Sequence, residues 1–206
     1  MIAIFTNYPC PKVKPSWKYF TTDQAMIRLE YFTKEDFQQL INWIHDEHLL
    51  TNWAGSLFRF PLTESSLDWY LEDANVLGQS DVFIYKAIDI ATEEVVGHIS
   101  LGGISRKNQS ARISRVLVGN TAARGKGYCT AMIKAVLKVG FDELKLHRIT
   151  LGAYDFNKSA IRCYEKAGFS IEGVNRDVLQ YKEGEFWSLV EMSILKHEWR
   201  PANLNV

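Results

Sequence analysis

The stretch VLVGNTAARGKGYCTAM, from Val116 to Met132, carries three glycines and two basic residues and marks a change in hydrophobic period. Ahead of it, SARISRVLVG alternates as a strand. Behind it, Cys129, Met132, Val136 and Val139 recur at helical spacing, on a helix expected from about Gly125 to Glu143. A chain that leaves a strand through glycines, builds a long helix and returns to strand in HRITLGAYD makes a crossover with a parallel strand pair. That narrows the fold to a mixed α/β sheet, because the helix must bury its apolar face on the sheet it leaves.

The remaining elements follow from the same periodicities. MIRLEYF, from Met26, reads as a strand. TKEDFQQLINWIHD places Phe37, Leu40, Ile41 and Ile44 on one helical face with Thr33 as N-cap, and PLTESSLDWYLEDA repeats the pattern with Leu67, Tyr70, Leu71 and Ala74. Between them, LLTNWAGSLFRF is apolar and aromatic without a clean period and reads as a loop. DVFIYKAIDI and EEVVGHISLGGIS are two strands joined by a turn around Ala91–Glu93. NKSAIRCYEKAGF is a short helix closed by Gly168, and FSIEGVNRDVLQY and FWSLVEMSILKHEW are long strands turning at Lys182–Glu185. The expected order is strand, two helices, three strands, helix, strand, helix, two strands. Residues 1–25, with Pro9, Pro11 and Pro15, read as an extended N-terminal arm, residues 26–200 as one domain and 201–206 as a tail.

Composition excludes several function classes. Lysine plus arginine and aspartate plus glutamate each number 24, so a nucleic-acid binder driven by counterion release is not expected. No apolar run approaches the ~20 residues that span a bilayer, and the first residues lack the basic start of a cleaved signal. Cys10, Cys129 and Cys163 are odd in number and widely spaced, which predicts reduced thiols in a cytoplasm. No His/Cys/Asp cluster has metal-ligand spacing, and no metal is expected.

Glycines between a strand and a helix invite a phosphate, and three readings compete. A P-loop needs four residues between its glycines and then Lys-Ser/Thr; here Gly119 is followed by five residues, and Gly127 follows Lys126. A dinucleotide fingerprint needs a third glycine where Thr130 stands. In the third reading, free amides and the dipole at the helix start hold the pyrophosphate of coenzyme A, with Arg124 and Lys126 adding charge at the rim.

Residues 124 to 129, RGKGYC, resemble the R/Q-x-x-G-x-G/A acetyl-CoA motif of the GNAT N-acetyltransferase superfamily, with Cys129 in place of its last glycine or alanine. NKSAIRCYEKAGF resembles the second signature of that family, an asparagine seven residues before a tyrosine and then a Gly-Phe pair opening a strand. The resemblance spans roughly residues 26 to 196 and is nearest the ribosomal-protein and polyamine acetyltransferase branch. Ser188 departs from the aspartate that relatives often carry after the aromatic Trp187.

The resemblance implies a mostly antiparallel sheet with a splayed parallel pair, flanked by about four helices. It implies acetyl-CoA as co-substrate, held by Leu117, Val118, Gly119, Arg124, Gly125, Lys126, Gly127, Tyr128, Cys129, Thr130, Asn157 and Ser159. The acceptor would be a primary amine, on a peptide or a small molecule, and the chain a monomer or homodimer. A sensor that binds acyl-CoA without turnover is the alternative.

Acetyl transfer to an amine has three demands. An ammonium of pKa about 10 must lose a proton, the developing oxyanion needs donors, and the departing thiolate benefits from an acid. The resemblance implies Tyr164 as the acid and a backbone amide at Val118, on a strand that is bulged in the family, as the oxyanion donor. For the base, Asp155, Glu172, Glu191 and a water relay all stay open. His98 reads as a partly buried strand histidine, His147 as structural, and Cys163 lacks the histidine partner of an acyl-enzyme nucleophile. Trp53, Phe58, Phe60 and Trp187 are expected to form an aromatic wall for the acceptor, with Glu183 and Glu185 to attract it.

Overall fold

The computed structural model describes residues 26–119 and 125–200; the N-terminal arm, the C-terminal tail and Arg124 lie outside the described residues. Seven strands form one sheet: β1 (Ile27–Tyr31), β2 (Phe83–Asp89), β3 (Val95–Ser105), β4 (Ser110–Val118), β5 (Arg148–Tyr154), β6 (Ser170–Lys182) and β7 (Glu185–Leu195). Their spatial order is β1-β2-β3-β4-β5-β7-β6. All neighbours are antiparallel except β4 and β5, the parallel pair that the glycine crossover predicts.

Among the described residues, five α-helices flank the sheet: α1 (Phe37–Trp43), α2 (Glu47–Ala54), α3 (Glu64–Leu71), α4 (Tyr128–Lys138) and α5 (Lys158–Lys166). A 3-10 turn, Lys34–Asp36, precedes α1, and a π-helical turn, Val139–Glu143, extends α4. The fifth helix is α2, which occupies the segment expected to be a loop. Asp46 caps it by accepting from the Leu49 amide at 2.6 Å, and Leu50 and Trp53, three apart, bury on its inner side. The helix has only eight residues, too few for a period to rise above the surrounding apolar run.

Two cores result, one on each face of the sheet. Ile99, Leu101, Ile113 and Ile149 pack against Met132, Ile133, Val136 and Leu137 of α4. On the opposite face, Ile84 and Leu117 pack against Leu40, Leu50, Trp53 and Leu67 from α1, α2 and α3. Alternation explains why Phe83 and Ile84, adjacent in β2, belong to different cores.

β4 serves both cores, and this requires a bulge. Ile113 and Leu117 are four apart, which in a regular strand puts them on one face; here they face opposite cores. The extra residue lies between Ser114, opposite Ser100, and Leu117, opposite His98. Arg115 takes up the distortion with φ of 53°, a left-handed conformation uncommon for a residue with a Cβ. Beyond the start of the strand β4 also loses β5: the two pair only through Ser110–Arg112 and Arg148–Thr150. Past that point they diverge, and a cleft opens between them.

Candidate active site

The cleft has a volume of about 690 Å³. It is lined by the bulged half of β4, residues 152–154 of β5, the first turn of α4, both exposed and buried residues of α5, and Asn52 and Trp53 of α2. The sequence-predicted residues Leu117, Val118, Gly125, Gly127, Tyr128, Cys129, Thr130, Asn157, Ser159, Tyr164 and Trp53 all line it.

The α4 end of the cleft is built for an anion. Gly125 and Gly127 have φ of 82° and 88°, so both positions need glycine for the backbone they adopt. A Cβ at Gly125 would meet nothing within 4 Å, so the loop stays open on that side. Gly127 is the N-cap of α4 and offers no side chain to the first amides of the helix, which leaves them, with the helix dipole, for a ligand. Lys126 stands exposed between the glycines. The Tyr128 side chain turns away, its hydroxyl donating to Asp89 and tying the start of α4 to the end of β2.

Charge points the same way. Among the described residues, the lining includes Arg112, Arg115, Arg162 and Lys166 and no aspartate or glutamate. Arg162 and Lys166 are exposed, four apart on α5, and form no ion pair among the described residues. Sequence reasoning missed both, although their i, i+4 spacing inside the second signature was the available signal.

At the centre of the cleft, β4 presents its bulge. Gly119 N donates to Val96 O at 2.9 Å, and Val118 faces Gly97. By the alternation of an antiparallel ladder, the Val118 amide then points away from β3, toward the side that β5 has left. Arg112 reaches across Gly152 to make a two-pronged pair with Glu191 at 2.8 and 3.1 Å; a Cβ at Gly152 would stand 2.8 Å from the guanidinium. Tyr164 is buried on the inner side of α5 and reaches the cleft. Burial pushes its phenol pKa up, against a smaller opposing pull from Arg112, so the hydroxyl keeps its proton at neutral pH.

Several expectations need correction. Cys129 and Cys163 are not separate thiols: they form a disulfide across a sequence separation of 34, joining α4 to α5. The two helices become neighbours only through the crossover, which residue spacing does not show. The aromatic wall divides. Phe58 stacks on Trp53 at 5.7 Å inside the α1–α3 core, Phe60 is exposed, and Trp187 sits in a second group with His48, Tyr154, Phe156 and Tyr181. Of the proposed wall only Trp53 reaches the cleft. Among base candidates, Glu191 is taken by Arg112, and Arg148 and Ser193 hold Glu172 down to about 2. Asn157 caps α5, accepting from the Ala160 amide at 3.2 Å and from Ser159 Oγ at 3.0 Å, while its Nδ2 donates to Asn52.

Gly119 is explained by packing. A Cβ there would lie 2.1 Å from the Trp43 indole, so Gly119 makes room for α1. Gly119→Ala is expected to lower stability by about 1–3 kcal/mol through overpacking, read as a lower urea midpoint. An unchanged midpoint with weakened cofactor affinity would return this glycine to the binding site.

Among the described residues, no group of three or more His, Cys, Asp or Glu is placed to hold a metal ion, and no helix is long and apolar enough to cross a membrane.

The profile of the acetyltransferase (GNAT) domain family matches residues 27–170. The chain is 28% identical over 162 residues to an aminoglycoside N(6')-acetyltransferase type 1 of Klebsiella pneumoniae, covering 74% of this chain and 78% of that protein. It is 31% identical over 132 residues to the putative ribosomal N-acetyltransferase YdaF of Bacillus subtilis, covering 64% and 67%. Among solved structures, spermidine N-acetyltransferase from Vibrio cholerae in complex with CoA and spermine superimposes with a TM-score of 0.72 at 20% identity, over 85% of this chain and 98% of that one.

Proposed function

The chain belongs to the acetyltransferase (GNAT) domain family and is an N-acetyltransferase, and from that premise we propose that it moves the acetyl group of acetyl-CoA directly to a primary amine held in the same cleft. The observation that carries this reading is the convergence, in one acid-free cleft, of the uncapped start of α4, the Val118 amide and Tyr164.

Each part has a separate task. The amides of Cys129 and Thr130, with Arg162 and Lys166, take the phosphates of the cofactor. Asn52 and Asn157, linked at 3.4 Å, present amide groups to its pantetheine arm. The Val118 amide donates to the thioester oxygen as negative charge develops there, and being part of the backbone it needs no reorganisation to do so. Tyr164 gives its proton to the departing sulfur. With Glu172 and Glu191 committed to arginines and Asp155 outside the cleft lining, deprotonation of the ammonium falls to water. The acceptor enters between α2 and the β6–β7 hairpin, past Tyr154 of the cleft lining and the exposed Phe156 ring stacked on it. Aromatic faces attract alkylammonium groups, which suits a peptide N-terminus or a small cationic amine.

Calorimetric titration tests the cofactor. Acetyl-CoA is expected to bind in about the micromolar range and ATP not at all. The double variant R162A/K166A is expected to lose roughly tenfold in acetyl-CoA affinity, as two exposed charge contacts of up to about 1 kcal/mol each imply. Tight ATP binding, or no acetyl-CoA binding, would overturn the reading.

A further inference from the structure

Four buried side-chain polar atoms have no hydrogen-bond partner among the described residues, and all four belong to one cluster: Trp53 Nε1, Tyr70 Oη, His98 Nε2 and Arg115 Nε. The Trp53 and Tyr70 rings stand 5.3 and 5.9 Å from the His98 ring, and the Arg115 guanidinium lies 4.9 Å above the Tyr70 ring. Buried polar groups are ordinarily paired, so four unpaired ones in one place need a reason. Three of them can donate, and the charge on Arg115 is paired with no carboxylate among the described residues. Trp53 and Arg115 also line the cleft, whose described lining holds no acid. We infer that Arg115, with the Trp53 indole N–H as a second donor, binds a carboxylate on the acceptor, so that the enzyme acetylates an amine that also carries a carboxylate group. The inference rests on the acetyl-transfer reading of the cleft and narrows its acceptor class.

Position separates this charge from those that serve the cofactor. Arg162 and Lys166 belong to α5, beside the start of α4. Arg115 packs on Tyr70, on the α1–α3 face of the sheet and opposite the face that α4 covers. Arg112, the other arginine of β4, is already paired with Glu191. Arg115 has only long contacts to hydroxyls, from Nη1 to Ser100 Oγ at 3.4 Å and to Ser114 Oγ at 3.5 Å. A guanidinium held partly out of water without a counter-charge is costly, and its flat fork of donors matches a planar carboxylate. A polyamine would instead bring charge of the same sign to this side chain. The backbone fixes where the side chain starts: Arg115 sits in the bulge, and its carbonyl accepts from His98 Nδ1 at 3.0 Å. It is three residues from Val118, whose amide faces the thioester in the proposed mechanism. At about 3.3 Å per residue the two positions lie within roughly 10 Å along the strand, a span that a small amino acid bridges.

Matched acceptor pairs test this, each an amino acid and the amine left when its carboxylate is removed: lysine with cadaverine, and phenylalanine with phenethylamine. The full-length protein is assayed with acetyl-CoA by thiol release. The amino acid is expected to show a kcat/KM at least about tenfold above that of its amine. Arg115→Met, which keeps the length of the side chain and removes its charge, is expected to bring that ratio to about one. Trp53→Phe, which removes only the indole N–H, is expected to lower it about threefold. Each ratio is taken within one protein, so a loss of folded enzyme cancels. Where neither member of a pair turns over, calorimetric affinity for the protein loaded with coenzyme A replaces kcat/KM, with the same ratios expected. Amines equal to or better than their amino acids, no binding by either amino acid, or a ratio retained in Arg115→Met would overturn the inference and leave acetyl transfer standing. A tenfold loss of acetyl-CoA affinity in Arg115→Met would assign the residue to the cofactor and overturn it as well. No binding of acetyl-CoA by the unaltered protein would overturn it together with the cofactor reading.

Discussion

Tyr164→Phe is expected to lower kcat by about 10²-fold or more while leaving the Kd for acetyl-CoA within about twofold. The reasoning is local. The ring of Tyr164 is part of the core, packed with Phe169 at 6.4 Å, and phenylalanine keeps that packing. Only the hydroxyl is lost. Burial holds that hydroxyl protonated well above its ordinary range, so it is able to give a proton to a departing thiolate across the whole physiological pH range. A general acid acts in the transition state and not in the ground-state complex, so the loss should fall on kcat and kcat/KM together. Steady-state kinetics with a thiol-release readout, paired with calorimetry, separates the two quantities. An unchanged kcat would remove Tyr164 from the mechanism; a matching loss of acetyl-CoA affinity would make it a binding residue.

A second large effect is expected from His98, buried in the fold behind the bulge of β4. The ring is fully buried on β3, enclosed by Phe32 at 4.9 Å and Trp53 at 5.3 Å. Its Nδ1 carries the proton and donates to the Arg115 carbonyl at 3.0 Å, which fixes the tautomer, and Nε2 has no hydrogen-bond partner among the described residues. Burial is the main cause that lowers its pKa from 6.5 to about 4, with the Arg115 charge adding to it and the carbonyl bond opposing. The native state therefore refuses a proton that the unfolded chain accepts below pH 6.5, and stability rises with pH between about 4 and 6.5. At 1.36 kcal/mol per pH unit, the window amounts to about 3 kcal/mol, all of it present at neutral pH and lost as pH falls to about 4. Urea midpoints at pH 7, 5.5 and 4 measure it. His98→Gln is expected to flatten the pH dependence across this window whatever its stability at pH 7, so the slope remains interpretable in a weakened variant. A slope equal to that of the unaltered protein would assign the acid sensitivity to another group.

The bulge in β4 links the buried histidine to the cleft. Arg115 provides the carbonyl that fixes the His98 tautomer, and its left-handed φ turns the next residues so that the Val118 amide faces the cleft. The residue that shapes the bulge thus also anchors the buried histidine behind it. The strand sequence SARISRVLVG shows apolar positions at both 113 and 117, a spacing that a regular strand accommodates equally well, so the bulge has no unambiguous sequence signature.

What the sequence determined by itself was the order of elements long enough to repeat and the place of the glycines that open α4. β2, β3, β4, α4, β5, α5 and the β6–β7 hairpin were legible because each shows several periods, and the glycines at 125 and 127 because only that residue occupies their backbone conformation freely. What only the tertiary structure decided depends on residues distant in the chain. The eight-residue α2 owes its helix to the Asp46 cap and to a core supplied by α1, α3 and β2. Trp53 and Trp187, similar on paper, were sent to different clusters by the topology. Glu172 and Glu191 were removed from base duty by arginines from other strands. Cys129 and Cys163, which read as isolated thiols, were joined by the packing of α5 beside the start of α4. Local periodicity reports which face of an element is apolar; which partner covers that face is settled by the non-local contacts that close the sheet.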